Sequence, residues 1–153
     1  MSIVAEDAPD VTDDGLHAAL ERVGDRWTLL AIDVLLTGPR RFGELQEALG
    51  GIATNVLSQR LRHLETEGVV VARPYSTRPP RYIYELTASG RDLAGALLLL
   101  TRWGSQHASG GQAAEVGPHH QACGTALEPR WYCPTCDRVV DEDEAHLDEF
   151  RWV

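Results

Sequence analysis

The chain has 153 residues, with 43% hydrophobic residues and a formal net charge of -9. That apolar share is enough for a core and excludes a wholly disordered chain. The longest aliphatic run, Leu97 to Leu100, is far short of the ~20 residues a membrane helix needs.

Residues 1–14 are acidic and show no period, so a mobile tail is expected there. The opening MSIVAEDAPD has no basic or apolar stretch of the kind a secretory signal needs, so none is expected. From Leu16 the apolar residues fall at Leu20, Val23, Trp27, Leu30 and Val34, steps of three and four that predict helix. Gly24 divides this stretch, and Asp25 is placed to cap the second piece. Pro39 cannot continue it.

Phe42 to Leu49 reads as the next helix, Gly50-Gly51 as a turn, and about Thr54 to Glu67 as another helix with the stripe Leu57, Leu61 and Leu64. The period then changes. Val69 to Val71 and Arg81 to Leu86 read as two strands joined by a Pro-rich loop. Thr87 caps an expected long helix, Ala88 to His107. Residues 108–118 have the composition of a linker, and 119–153 hold a Cys/His segment followed by an acidic tail.

This order of helices followed by a hairpin is that of a winged helix-turn-helix, a mainly α fold with a small β-hairpin (α+β) spanning 15–107. With the leucine stripe inward, about 100° per residue turns Asn55, Ser58, Gln59 and Arg62 outward, with Thr54 at the helix start. These side chains can read base edges: Arg for guanine, Asn and Gln for adenine, Ser and Thr for either. His63 falls at the edge of that face. Arg60 lies nearer the core side, either structural or reaching a phosphate. Arg40 and Arg41 precede the first helix of the pair, where backbone contacts are usual. Arg78 and Arg81 stand at the hairpin tip, suited to phosphate or a minor groove.

The charge distribution agrees. Residues 1–36 balance at -6, residues 37–91 at +3 and residues 92–153 at -6, and every cation is Arg. A local basic patch, rather than the total, decides whether phosphate docks. The total of -9 favours one alternative, a protein-interaction adaptor that keeps the winged helix but has lost DNA binding. No Gly-rich phosphate loop or recognisable carboxylate pair supports an enzyme.

Residues 24–104 resemble the HxlR family of bacterial winged-helix transcription regulators, relatives of the MarR group. The carrying motifs are Gly24-Asp25-Arg26-Trp27-Thr28-Leu29-Leu30, Gly38-Pro39-Arg40-Arg41-Phe42-Gly43-Glu44-Leu45, Leu57-Ser58-Gln59-Arg60-Leu61-Arg62-His63-Leu64-Glu65, Gly68-Val69-Val70, Pro79-Pro80-Arg81-Tyr82-Ile83-Tyr84-Glu85-Leu86-Thr87 and Arg102-Trp103-Gly104. The resemblance implies a homodimer that binds double-stranded DNA, with helix 54–67 in the major groove and wing 69–86 on the flanking backbone or minor groove. It places the dimer interface on the N-terminal helices and the long C-terminal helix. A two-fold dimer implies a palindromic operator. A small-molecule effector is compatible with this reading, but its identity is left open. Asp14 stands where many relatives carry a sensing cysteine, and Ala53 where they have Ser, so the helix cap must come from Thr54 or be missing.

In the C-terminal segment, His120 and Cys123 form one pair at i, i+3 and Cys133 and Cys136 another, nine residues apart. Four such ligands suit tetrahedral Zn²⁺, so one structural zinc per chain in a zinc-ribbon-like module is expected. His119 is an alternative fourth ligand and His146 a remote one. A degenerate metal-free site or a redox Cys133/Cys136 pair are the competing readings. All three cysteines lie in this segment, too few for a disulfide framework and consistent with a reducing cytoplasm.

Overall fold

A computed structural model describes residues 15–107 and 117–140. The expected N-terminal tail, most of the linker, His146 and the acidic end lie outside the described residues. The chain divides into two compact units, Met1–Leu97 and Leu98–Val153. Among the described residues no helix is long and apolar enough to cross a membrane.

The first unit is a winged helix-turn-helix, as the sequence predicts. Helix α1 (Gly15–Val23) stops at Gly24, whose backbone N–H bonds the Leu20 carbonyl at 2.8 Å. A Cβ at Gly24 would lie 2.4 Å from that carbonyl oxygen, so only glycine makes this junction without a shift. Helix α2 (Arg26–Leu36) follows, capped by Asp25 as expected: Oδ1 accepts from the N–H groups of Trp27 (3.0 Å) and Thr28 (3.2 Å).

Strand β1 (Arg40–Arg41), helix α3 (Phe42–Ala48) and helix α4 (Thr54–Thr66) come next. At the start of α4 the cap position is Ala53, with no side-chain hydrogen bond. Of the two expected outcomes the missing cap is the one found, at a cost of about 1 kcal/mol. Gly68, at φ +69°, ends the helix with Val69 N–H bonded to the Leu64 carbonyl at 2.9 Å.

Strands β2 (Val70–Thr77) and β3 (Pro80–Leu86) form the wing, in a three-stranded sheet of order β1-β3-β2. Val70 pairs with Leu86, Ala72 with Tyr84 and Pro74 with Tyr82. The sequence reading left 74–80 as a loop, but pairing continues to Thr77↔Pro80 and leaves only Arg78 and Pro79 at the tip. Pro74 is tolerated because β2 is an edge strand with an irregularity between Pro74 and Ser76. Strand β1 was not expected at all: two residues carry no period. Arg40 pairs with Tyr84 and Arg41 with Ile83.

The expected single C-terminal helix is two, α5 (Ala88–Asp92) and α6 (Ala94–His107), broken at Leu93. Gly90 and Gly95 flank the break, and both disfavour helix.

The core joins Ile32, Leu45, Leu57, Leu61 and Leu64, all less than 2% exposed, to Leu86 and Leu97. Burying one such side chain stabilises by roughly 1.5–3 kcal/mol. The leucine stripe of α4 therefore faces inward, as its spacing predicts.

In the second unit, strands β4 (Trp131–Cys133) and β5 (Arg138–Val140) make a short hairpin, and an isolated bridge joins His119 to Ala126. Gly117 packs beside Leu98, and Leu99 shares a small groove with Pro129, Arg130 and Trp131. None of residues 117–140 is buried; Trp131 and Tyr132 are more than half exposed. The expected zinc-ribbon module is corrected here. Among the described residues no three His, Cys, Asp or Glu side chains come together as metal ligands, so His120, Cys123, Cys133 and Cys136 do not form the predicted Zn²⁺ site. Spacing of i, i+3 brings a pair together within one turn, but nothing in it makes two turns converge.

Candidate nucleic-acid interface

Helix α4 exposes Thr54, Asn55, Gln59 and Arg62, with Ser58 half-buried, on the side away from Leu57, Leu61 and Leu64. Thr54 is less free than the sequence implies, since its hydroxyl accepts from Gln46 Nε2 at 3.1 Å. Gln46 also donates to the Ile52 carbonyl at 2.8 Å, tying α3 to the turn before α4.

One flank of α4 is anchored to the α1–α2 junction. Arg60 Nε lies 2.9 Å from Asp25 Oδ1, His63 Nε2 lies 2.7 Å from the Arg22 carbonyl, and Arg22 pairs with Glu67 at 2.6 Å. Of the two roles left open for Arg60, this contact supports the structural one. His63 is half-buried against backbone rather than displayed for reading.

The opposite flank opens toward the wing. A groove of about 400 Å³ is lined by Ser58, Leu61, Arg62 and Glu65 from α4 together with Ala72, Tyr82 and Tyr84. A second hollow of about 590 Å³, lined by Arg41, Glu44, Tyr75 and Arg81, shares Phe42, Tyr82 and Tyr84 with the first. Ser58 and Arg62 thus border the first hollow and Arg41 and Arg81 the second, while Asn55, Gln59, Arg40 and Arg78 line neither. Arg41 stacks its guanidinium 4.7 Å from the Tyr75 ring centroid, and Arg40 Nη2 donates to Thr37 Oγ1 at 2.9 Å. Arg78 and Arg81 are both exposed near the wing tip.

The aromatic floor, Phe42, Tyr75, Tyr82 and Tyr84, was not singled out from sequence. The alternation in Arg81-Tyr82-Ile83-Tyr84-Glu85-Leu86, ending on buried Leu86, is the signal that puts both tyrosines on one face. Burial, and after it the Glu65 carboxylate, pushes the Tyr84 hydroxyl above its ordinary range, with Arg62 acting the other way.

The Cys/His residues form two separate local pairs. Cys123 Sγ lies 3.3 Å from His120 Nδ1 and 3.3 Å from Thr125 Oγ1, and these hydrogen bonds, Thr125 first, lower its pKa. Within the β4–β5 turn, hydrogen bonds from the Cys136 backbone and side chain lower the pKa of Cys133, while the side-chain hydrogen bond to Cys133 and the Cys133 charge raise that of Cys136.

The family model described as HxlR-like helix-turn-helix matches residues 22–112. The chain belongs to this family. It is a sequence-specific, DNA-binding transcription regulator. It is 42% identical over 127 residues to the uncharacterized HTH-type transcriptional regulator Rv3095 of Mycobacterium tuberculosis, covering 83% of this chain and 80% of that one. Among solved structures, the HTH-type regulator ytcD superposes with a TM-score of 0.58 at 36% identity, covering 61% of this chain and 96% of the other. PA1607, described as a transcription-factor candidate, superposes with a TM-score of 0.72 at 26% identity, covering 89% and 94%.

Proposed function

We propose that this HxlR-like regulator acts in the cytoplasm as a homodimer on a palindromic operator, each subunit placing α4 in the major groove and its wing along the flanking backbone. The observation that carries this reading is that the hollow bordered by Ser58 and Arg62 of α4 and the hollow bordered by Arg41 and Arg81 share the side chains of Phe42, Tyr82 and Tyr84. Asn55, Ser58, Gln59 and Arg62 then read bases, with Thr54 at the helix start. Arg40, Arg41, Arg78 and Arg81 hold phosphates or enter the minor groove.

Dimerisation is supported by exposed apolar side chains on the terminal helices. Leu20 on α1 and Leu99, Leu100 and Trp103 on α6 are all more than 40% exposed. Exposed apolar side chains of this kind suit burial in a two-fold interface.

Selection from randomised duplex DNA, with sedimentation of the protein alone, tests the proposal. The expected result is an enriched inverted repeat, half-sites about 10 bp or a multiple apart, bound by a dimer at micromolar concentration. A stable monomer, or no enriched sequence, contradicts it.

A further inference from the structure

We infer that Asp25 and Arg60 are a positioning pair that sets the roll of α4, so that operator discrimination depends on two side chains that touch no DNA. The inference rests on the proposed reading of α4 as the recognition helix.

Asp25 does two jobs with one oxygen. Its Oδ1 caps α2 through the N–H groups of Trp27 and Thr28, lies 3.4 Å from the Thr28 hydroxyl, and stands 2.9 Å from Arg60 Nε as an ion pair. Arg60 Nε is buried and makes no hydrogen bond, so its charge is met by the Asp25 carboxylate through that ion pair. The carboxylate is therefore fixed by the start of α2, which carries the core residues Ala31, Ile32 and Leu35, before it meets α4.

Along α4 the anchored positions are 60, 63 and 67, at steps of three and four. They form one flank, between the leucine stripe and the outward face. Leucine packing decides which face of α4 turns inward, to the precision of a side chain. Polar contacts along one flank refine the roll within that face, and base reading needs groups held within about 0.5 Å and 10–20°. All three anchors reach residues 22–25, where Gly24 leaves no space for a side chain. Arg60 and Asp25 thus reference the reading face to a sterically constrained joint of the fold.

The test measures Kd for an operator obtained by the selection above and for a non-operator duplex of equal length, across a salt series. Asp25→Asn keeps an N-cap of equal quality and removes the charge. Arg60→Met keeps the stem. Each variant should weaken operator binding about tenfold, on the order of one lost base contact. Non-operator affinity and the salt slope should stay unchanged. The double variant should be no worse than either single one, as coupled residues require. Arg60→Lys should recover part of the loss.

Three results overturn the inference. Arg60→Met could lower the salt slope by about 1 while Asp25→Asn does nothing, which would make Arg60 a phosphate contact. Both variants could keep parental discrimination. Or the loss could follow only the unfolded fraction, measured by circular dichroism at the binding temperature, which would make the pair merely structural. Failure of the parent chain to select any operator would instead refute the reading of α4 itself.

Discussion

Helix α4 and the Cys/His segment both carry meaningful side chains at three- and four-residue steps, yet only α4 became what its pattern promised. In α4 the repeating residues are leucines, and Leu57, Leu61 and Leu64 each lose nearly all their exposure in one core. Burial is a long-range demand: it fixes which face turns in, and so which side chains turn out. In 119–136 the repeating residues are potential ligands, and the demand is local. Each pair meets within its own turn, and no third ligand joins either one among the described residues. Periodicity of apolar residues predicts tertiary placement; spacing of ligands predicts only a turn.

The largest effect expected from this difference is on stability. Leu61→Ala should cost the winged-helix unit about 2–5 kcal/mol in denaturant unfolding, since Leu61 is 1% exposed and its cavity cannot fill. Trp131→Ala and Cys133→Ser, on exposed or half-exposed positions, should leave the same transition within about 0.5 kcal/mol. Equal losses would mean that the hairpin segment supports the first unit and that the contrast drawn here is false.

A smaller loss is expected at the α1–α2 joint. Gly24→Ala puts a methyl where only 2.4 Å separates it from the Leu20 carbonyl oxygen, and should cost about 1–3 kcal/mol of overpacking strain. An unchanged melting curve would show that the joint yields, and would sharpen the account by moving the anchoring of α4 to its leucines alone.

The smallest effect is a pH dependence. The Tyr84 hydroxyl, raised above 10.0 by burial, keeps its proton longer folded than unfolded. The stability this contributes is complete below about pH 10 and is lost as pH rises through the folded-state pKa. Tyr84→Phe should therefore flatten the alkaline decline in unfolding free energy. A decline as steep as the parent's would assign it to another group.

Much of the first unit was legible in the sequence. The apolar periods gave the helices, Asp25 announced its cap, and the change to β-branched and aromatic residues gave the wing. What was not legible depended on partners distant in sequence. Arg40 and Arg41 could be placed before the first helix of the pair but not in a strand, because nothing local signals that Tyr84 and Ile83 will pair with them. Pro74 read as a break because its edge position is a property of the sheet. Arg60 could be placed between core and surface, but only the fold brings Asp25, 35 residues earlier in the chain, to its Nε. The family motifs quoted for the resemblance were enough to identify the regulator, and they stop at Gly104, before the segment where the zinc expectation failed.

In the proposed function the outward face of α4 reads bases while the wing arginines position the protein. The direct measurement is Kd for the parent, Arg62→Ala and Arg78→Ala against every single-base-pair variant of the operator, at two salt concentrations. Arg62→Ala should lose about 1–3 kcal/mol on the parent operator and its preference at one position per half-site. Arg78→Ala should weaken all duplexes alike and lower the salt slope by about 1. If Arg62→Ala keeps discrimination at every position and only shifts all affinities together, α4 does not read the operator through that face.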